Sequence, residues 1–270
     1  MDAMAPTMTI LGGNGYVGRH LSAHLSEIGY NCWVPQRADA ELLTRPLGTV
    51  FYCAGLTADF RSRPFDTVDA HIGLLSEVLQ YAHFDSLLYL SSTRVYMGAA
   101  ATQEDASLSV RPGDPSYLYN LTKLTGESLC HASGRSGVRV ARLSNVVGSD
   151  MESSNGNFIA SLLSEARTGH IVLRSDLESS KDYIHIDDVV RGLPLIAFKG
   201  RSSIYNLANG KNTTHREWMD WMRRNNGCSF SVELNAPLQK FPVIEMDRME
   251  LEFGFRTRPV LDFCAISIEK

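Results

Sequence analysis

Two residues that could move a proton, Tyr119 and Lys123, lie four positions apart in YLYNLTKLTGE, and Ser92 precedes them in SSTRVY. Residues four apart share one face of a helix, and leucines at helical spacing predict a helix over 117–133. An adjacent ammonium favours the phenolate of a tyrosine, whose pKa is otherwise about 10. The spacing therefore predicts either a tyrosine prepared for acid–base chemistry or an ordinary surface helix.

A glycine-rich turn, LGGNGYVG, could bind a phosphate group. Its glycines Gly12, Gly15 and Gly18 follow a predicted strand and open a predicted helix over 16–29. Glycines at this spacing permit a tight turn and the close approach of a pyrophosphate, whose charge the helix N-terminus stabilises. Because both flanking elements are predicted, the turn favours a dinucleotide site over a glycine-rich turn without a ligand.

The end of the second predicted strand, VPQR at 34–37, bears on the type of dinucleotide. A carboxylate there would bind the adenosine 2′-hydroxyl of NAD, and this stretch has none. Arg37 could instead pair with the 2′-phosphate of NADP, the alternative being an exposed arginine in a loop. We therefore expect a modest preference for NADP over NAD.

The composition argues against several classes of protein. The 270 residues are 44% hydrophobic with a formal net charge of −4, and the charges are interspersed, so no nucleic-acid or membrane-binding surface is predicted. No apolar run has the length of a membrane span, and the N-terminus lacks the pattern of a signal peptide. The five scattered cysteines predict reduced thiols in a cytoplasmic protein, and the eight histidines lack metal-ligand spacing, so we expect no metal site.

Short β-type runs alternate with helical patterns along most of the chain. This alternation predicts an α/β fold, a Rossmann-type doubly wound parallel sheet that binds ligands at the carboxyl ends of its strands. We expect 7–148 with 182–211 to form the dinucleotide-binding Rossmann domain. We expect 149–181 with 212–270, which are richer in polar residues and turns, to form a smaller, discontinuous substrate-binding lobe. The other predicted helices cover 66–83 and Asp188–Phe198, the second after an aspartate cap.

Together these motifs resemble the extended short-chain dehydrogenase/reductase family, whose members are NAD(P)-dependent epimerases, dehydratases and reductases of nucleotide sugars. The resemblance runs from residue 8 to about 258, with the motifs in the family's order. The matching stretches are the glycine turn, CAG at 53–55, SSTRVY at 91–96, the Tyr119–Lys123 pair, RLSNVVG at 142–148, KDYIHIDDV at 181–189 and YNLANG at 205–210.

The resemblance implies a role for each group of site residues. It implies that Ser92, Tyr119 and Lys123 are catalytic, with Tyr119 as the acid/base and Lys123 also holding the nicotinamide ribose. The implied cofactor site comprises Gly12, Asn14, Gly15, Tyr16, Val17, Gly18, Arg37, Cys53, Ala54, Gly55, Tyr119 and Lys123. The implied substrate site comprises Ser92, Thr93, Asn145 and Lys181.

The chain departs from the family pattern at several positions. Thr93 and Arg94 stand where dehydratases and decarboxylases have acidic residues, so the acid–base pair that eliminates water is missing. Lys181 stands where many relatives have an arginine that binds the substrate diphosphate, and lysine keeps the charge without the bidentate fork. His71 stands where many relatives have asparagine, and we interpret it as a partly buried, hydrogen-bonded histidine.

The expected function is hydride transfer at a hydroxyl or keto carbon of a nucleotide sugar, by a 4-keto reductase or a C4-type epimerase. A reductase of a small non-nucleotide carbonyl compound and a non-catalytic, NADP-sensing binding protein are the alternatives. The complete Ser92–Tyr119–Lys123 set disfavours the second alternative. The resemblance also implies a homodimer in which the helices at 66–83 and 117–133 form a four-helix bundle.

Overall fold

The computed structural model describes residues 7–57, 59–148, 151 and 157–263. Its centre is a parallel sheet of six strands in the order β2-β1-β3-β4-β5-β9. These strands are β1 (Thr7–Leu11), β2 (Asn31–Trp33), β3 (Thr49–Tyr52), β4 (Ser86–Ser92), β5 (Val138–Leu143) and β9 (Ile204–Leu207). The arrangement confirms the predicted Rossmann-type α/β fold.

Alternate residues of the central strands pack against helices on the two faces of the sheet. On one face, Phe51 and Leu88 join a buried cluster with α1 (Tyr16–Glu27) and α6 (Ile186–Lys199). On the other face, Tyr52 and Leu87 pack with the helical segment before β4 and with α4 (Leu118–Ala132). Burial on both faces explains why these strands are almost continuously apolar in sequence.

Two of the predicted helices differ in detail from the expectation. The segment predicted at 66–83 consists of α2 (Pro64–Val68), a π-helical turn over Asp69–Gly73 and α3 (Leu74–Tyr81). Helix α6 begins at Ile186, and its N-cap is His185, whose Nδ1 accepts a hydrogen bond from the Asp187 backbone N–H at 3.2 Å. The expected aspartate cap is therefore wrong, because Asp187 already lies in the first helical turn.

Two small sheets and two helices form a second buried cluster beside the main sheet. Their strands are β6 (Asn145–Val147), β7 (His170–Leu173), β8 (Ser180–His185), β10 (Asn212–Thr214) and β11 (Ser229–Val232), in the orders β10-β8-β6 and β11-β7. Helices α5 (Phe158–Ala166) and α7 (His215–Asn226) pack on them through residues such as Leu162 and Trp218. The remaining helices are α8 (Asp247–Phe253) and α9 (Val260–Phe263).

The division into two lobes stays a proposal. Strand β8 spans the expected boundary at 181/182 and pairs with β6 and β10. Helix α8 contributes Met249 to the core of the main sheet. The proposed substrate-binding lobe also includes residues outside the described part of the chain, namely 149–150, 152–156 and 264–270. Of the helices that the structure describes, none combines the length and the apolar character needed to cross a membrane.

The strand order creates a crevice at the carboxyl edge of the main sheet. Strand β1 lies between β2 and β3, so the connections that leave β1 and β3 turn to opposite faces of the sheet. Ligands of doubly wound sheets bind outside such a point. The glycine turn follows β1, residues 53–55 follow β3, and Ser92 ends β4.

Candidate active site

The glycine turn after β1 is too crowded for side chains. Gly12 has a φ of 77°, and a Cβ there would lie 2.6 Å from the backbone nitrogen of Ala54. A Cβ on Gly18 would overlap the carbonyl oxygen of Gly12. Gly15 is the N-cap of α1 and has no side chain to occupy the amides of the first turn. The turn therefore fits the pyrophosphate of the predicted dinucleotide, because backbone amides can approach it closely.

The other expected cofactor residues lie on both sides of this turn. Asn14, Tyr16 and Val17 are in the turn and the first residues of α1, and Cys53, Ala54 and Gly55 are in the loop after β3. At Gly55, an added Cβ would lie 3.4 Å from Lys123 Nζ and 2.8 Å from His71 Nε2. The loop after β3 is thus packed directly against the expected catalytic lysine.

Arg37 lies away from this crowded region. Its side chain is 79% exposed, and its guanidinium pairs with the carboxylate of Asp69 at 3.6 Å. Asp69 opens the π-helical turn before α3. The Asp69 carboxylate of this turn therefore lies beside the arginine that we expect to bind a 2′-phosphate.

Tyr119 and Ser92 meet although they come from different elements. Ser92 ends β4, and Tyr119 lies in the first turn of α4 with its side chain buried. The Ser92 hydroxyl lies near enough to the Tyr119 phenol to lower the pKa of the phenol. Ser92 Oγ also accepts a hydrogen bond from the backbone N–H of Arg94 at 3.2 Å, which orients the hydroxyl.

Burial acts against the expected lowering of the Tyr119 pKa. Burial raises this pKa above its ordinary value, while the Ser92 hydroxyl and the charge of Arg94 act in the opposite direction. The Lys123 Nζ lies 5.9 Å from the centre of the Tyr119 ring. The chain's own groups therefore do not bring the pKa of Tyr119 down, and the cation that acts on it is Arg94 rather than Lys123.

Lys123 is held by the backbone of the adjacent strand. Its Nζ donates a hydrogen bond to the carbonyl oxygen of Leu90 at 2.8 Å and lies 5.0 Å from the centre of the Tyr89 ring. Burial lowers the pKa of Lys123 to about 7, although Glu127 and Cys53 act to raise it. The lysine is thus fixed beside Gly55, where it can contact a bound ribose.

His71 lies beneath the same loop, in the middle of the π-helical turn. Its ring is fully buried, its Nδ1 is 2.8 Å from the Thr122 hydroxyl, and its centre is 5.4 Å from that of the Tyr119 ring. Burial, followed by the charge of Lys123, lowers the pKa of His71 to about 2. The histidine is therefore neutral and joins the π-helical turn to α4.

The expected substrate residues lie on the side of the crevice away from the glycine turn. Thr93 is buried in the turn that follows Ser92. Asn145 opens β6, and its side-chain amide donates to the carbonyl oxygen of Asp182 in β8 at 2.8 Å. The Lys181 Nζ lies 5.9 Å from the Phe158 ring centre and 5.2 Å from that of Phe241.

Lys181 also borders a cavity of about 350 Å³ between α5, β7 and α7. Phe158 and His215 stack in its wall with their ring centres 4.4 Å apart, and Arg174 lies at its rim. Burial lowers the pKa of His215 to about 4, with Lys181 acting in the same direction, so the imidazole is neutral. The cavity thus combines aromatic surface with the Lys181 ammonium and with Arg174, which pairs at 2.9 Å with the Glu165 carboxylate that also lines it.

Two features of the site were not foreseen from the sequence. Arg94 folds back onto α4, where its Nε donates to Asn120 Oδ1 at 3.0 Å. Glu127 forms a buried ion pair with Arg142 at 2.7 Å. Glu127 stands four residues after Lys123 and eight after Tyr119, so its place on the catalytic face of the helix was visible in the spacing. No local pattern indicated the partner of Arg94.

Comparisons with known proteins agree with this geometry. The model of the NAD-dependent epimerase/dehydratase family matches residues 8–208. The chain is 26% identical over 246 residues to GDP-6-deoxy-D-mannose reductase of Pseudomonas aeruginosa, covering 80% of this chain and 79% of the reductase. It is 28% identical over 183 residues to dTDP-glucose 4,6-dehydratase of Streptomyces griseus, which covers 63% of this chain but only 53% of the dehydratase.

Solved structures share the fold over almost the whole chain. MoeE5 in complex with UDP-glucose and NAD superimposes with a TM-score of 0.79 at 21% identity, covering 97% of both chains. RMD from Pseudomonas aeruginosa complexed with NADPH superimposes with a TM-score of 0.75 at 20% identity, covering 95% of both. At these identities the likeness establishes the fold alone.

Proposed function

The chain belongs to the NAD-dependent epimerase/dehydratase family, and from this premise we propose that it transfers hydride between a nicotinamide cofactor and a hydroxyl or keto carbon of a nucleotide sugar. The reaction is that of a 4-keto reductase or a C4-type epimerase. The observation that carries this proposal is the meeting of Ser92, Tyr119 and Lys123 at the carboxyl edge of the sheet, beside a glycine turn with no room for side chains.

The cofactor would lie along the glycine turn, with its ribose at Lys123 and the loop 53–55. When bound, the nicotinamide supplies the acceptor or donor of the hydride. The Tyr119 phenolate takes the hydroxyl proton from the sugar when the carbon is oxidised, and the Tyr119 phenol returns a proton to the oxygen when the carbon is reduced. Ser92 donates a hydrogen bond to the same oxygen and thereby orients the sugar.

The chemistry of the surrounding residues supports a nucleotide sugar as substrate. Lys181 would take the diphosphate, because it is a half-buried cation that lies near the Phe158 and Phe241 rings and has no hydrogen bond or ion pair among the described residues. The cavity beside it, with the stacked pair Phe158 and His215, has a size and an aromatic wall suited to a nucleoside. Asn145 would contact the sugar between these two regions.

The residues after Ser92 favour hydride transfer without elimination of water. Elimination needs an acid and a base beside the carbons that lose hydrogen and hydroxide. Thr93 and Arg94 cannot supply a carboxylate, and Arg94 is held against Asn120 at 3.0 Å. We therefore propose reduction or epimerisation rather than dehydration.

We also propose that a second copy of this chain covers the outer face of α2 and α3. Phe65 is 86% exposed, Tyr81 is 57% exposed and Val68 is 39% exposed on this face. The family resemblance makes the segment part of a homodimer interface. Light scattering should give a mass twice that of the chain. Phe65→Glu should halve this mass. The control Leu251→Glu, at an exposed leucine of α8, should leave it unchanged.

The function can be tested by following the sugar and the cofactor separately. UDP-glucose, UDP-glucuronic acid, dTDP-glucose and GDP-mannose are incubated with the protein and NAD, and NMR detects a C4 epimer. A 4-keto-6-deoxyhexose nucleotide is incubated with NADH or NADPH, and absorbance follows the oxidation of the cofactor. The proposal expects turnover in at least one arm and its loss in Tyr119→Phe. Equal rates in the parent and in this variant would contradict it.

A further inference from the structure

Arg94 is a half-buried cation fixed beside the reacting residues. Its Nε donates to Asn120 Oδ1 at 3.0 Å, and its Nη2 donates to the carbonyl oxygen of Ser116 at 3.3 Å. Asn120 Nδ2 in turn donates to the Arg94 carbonyl oxygen at 2.9 Å. The guanidinium is therefore held between the turn that carries Ser92 and the start of the helix that carries Tyr119.

This guanidinium has hydrogen-bonding capacity that the described residues do not use. Arginine has five N–H donors, and only two of them have acceptors here. Among the residues that the structure describes, no carboxylate forms an ion pair with Arg94. Asp114, the carboxylate that acts on it from farther away, is bound to the Ser116 backbone N–H at 2.9 Å. By contrast, the buried Arg142 is neutralised by Glu127.

Two other cationic side chains interact with Arg94, while Tyr119, Tyr117 and Asp114 act on its pKa in the opposite direction. Burial and then the charge of Arg61 lower the pKa of Arg94. Burial and then the charge of Arg94 lower the pKa of Lys181, whose ammonium lies near two aromatic rings and has no hydrogen bond or ion pair in the described part of the chain. Cations that are partly removed from water and act on one another are costly unless an anion joins them. The arrangement is therefore complementary to a ligand with negative charge at the reacting end.

We infer that Arg94 binds a carboxylate on the sugar ring, so that the substrates of this enzyme are nucleotide uronic acids. The inference rests on the proposed function, in which Lys181 takes the diphosphate. Arg94 is bonded through its backbone to Ser92 Oγ, and its partner Asn120 directly follows Tyr119, so its free donors lie at the sugar rather than at the nucleotide. A planar guanidinium with free donors matches the two oxygens of a carboxylate.

The test uses two pairs of nucleotide sugars that differ only in whether C6 is a hydroxymethyl group or a carboxylate. These are UDP-glucose with UDP-glucuronic acid, and GDP-mannose with GDP-mannuronic acid. Calorimetry measures their affinities for the NAD-loaded parent, for Arg94→Gln and Arg94→Lys, and for the control Arg63→Gln. Arg63 is a suitable control because it already pairs with Asp66 at 2.8 Å.

We expect the parent to bind the uronate of one pair at least about tenfold more tightly than its neutral partner, the size of one charge-assisted hydrogen bond. Arg94→Gln should lose this preference, Arg94→Lys should keep part of it, and Arg63→Gln should keep all of it.

Equal affinities within both pairs in the parent, or an unchanged preference in Arg94→Gln, would overturn the inference and leave the proposed function standing. The parent data decide the matter even if Arg94→Gln does not fold. If NAD binds but neither these four nucleotide sugars nor the 4-keto-6-deoxyhexose nucleotide does, the proposed function fails and the inference fails with it.

Discussion

Glu127 of α4 and Arg142 of β5 form an ion pair in which Oε2 and Nη2 are 2.7 Å apart and the side chains are only 5% and 4% exposed. Glu127 also accepts a hydrogen bond from Ser91 Oγ at 2.5 Å, and Arg142 donates to the Tyr96 hydroxyl at 2.7 Å. The pair joins the catalytic helix to two strands of the sheet, one helical turn from Lys123. It therefore fixes the helix that carries Tyr119 and Lys123.

Arg142→Met should destabilise the protein by about 3–5 kcal/mol, because it leaves the Glu127 carboxylate buried without a partner. The double variant Glu127→Leu/Arg142→Met removes both charges and should recover most of this loss. Urea unfolding measures both. The matched control is Arg256→Met, which breaks an exposed pair with Glu250 and should cost under about 1 kcal/mol. Equal losses in Arg142→Met and Arg256→Met would show that burial of the pair does not matter.

Tyr119→Phe should reduce turnover at least about a hundredfold, the usual contribution of a positioned acid or base. Cofactor affinity should change little, because the buried ring that packs on Phe60 with 5.5 Å between ring centres is retained. Steady-state kinetics and cofactor titration measure the two effects. Tyr117→Phe is the matched control, since Tyr117 is also buried but lies outside the Ser92 contact. Near-normal turnover in Tyr119→Phe would remove Tyr119 from the mechanism.

The burial of Lys123 should make stability depend on pH in a defined direction. Its pKa is about 7 in the folded protein against an ordinary 10.5, so between these values the unfolded chain binds more protons. Stability from this group is therefore least below about pH 7 and rises as the pH increases toward 10, by at most about 1.4 kcal/mol per pH unit.

Lys123→Met removes this dependence. The free energy of unfolding of the variant minus that of the parent, measured by urea unfolding, should be largest near pH 6 and should shrink as the pH rises, by at most about 1.4 kcal/mol per pH unit. Lys199→Met, at an exposed lysine, is the control and should show a constant difference. A difference for Lys123→Met that stays constant, or grows, with pH would contradict the buried ammonium.

The parts of the site that could be predicted are those with a local pattern. The glycine turn and the Tyr119–Lys123 spacing are short-range features, and each follows from the geometry of one turn or one helix. Arg94 and Asn120 are 26 positions apart in the chain, and their bond at 3.0 Å depends on how β4 and α4 pack. The expected lowering of the Tyr119 pKa stays a prediction, since spacing put the ammonium on the right helix face but could not show that burial of the tyrosine acts against it.

The fold shows the same division between local and long-range information. Apolar periodicity predicted most strands and helices, because each buries a regular face. It did not predict the π-helical turn over Asp69–Gly73, which shifts the register by one residue within an otherwise helical pattern. Nor did it identify the His185 cap, since an imidazole that accepts a backbone hydrogen bond is not among the usual capping groups.

The enzyme should not dehydrate hexose nucleotides. Thr93 and Arg94 provide no carboxylate beside Ser92, and the guanidinium of Arg94 would keep any neighbouring carboxyl group ionised, so that it could not serve as the acid. Incubation of the NAD-loaded enzyme with dTDP-glucose or GDP-mannose, followed by mass spectrometry, should reveal no product lighter by one water. Restoring acids in Thr93→Asp/Arg94→Glu provides the comparison. A dehydrated product from the parent enzyme would overturn the argument from these two positions.

The expected preference for NADP over NAD depends on the balance between Arg37 and Asp69. A 2′-phosphate would gain about 1.5–3 kcal/mol from a charge-assisted hydrogen bond with Arg37, and the Asp69 carboxylate, 3.6 Å from the guanidinium, competes for it and repels the phosphate. Both side chains are mostly exposed, so their own pair is weak and a phosphate can displace it.

We therefore expect the parent to bind NADP modestly better than NAD. Arg37→Ala should lose NADP affinity selectively, by about tenfold or more, and Asp69→Ala should strengthen NADP binding while leaving NAD binding nearly unchanged. Asp66→Ala, which removes an equal charge three residues earlier on the same segment, should alter neither. Calorimetric titration of NAD and NADP into the parent and each variant measures the preference. If the parent binds both cofactors equally and Arg37→Ala causes no selective loss of NADP affinity, Arg37 does not recognise the phosphate.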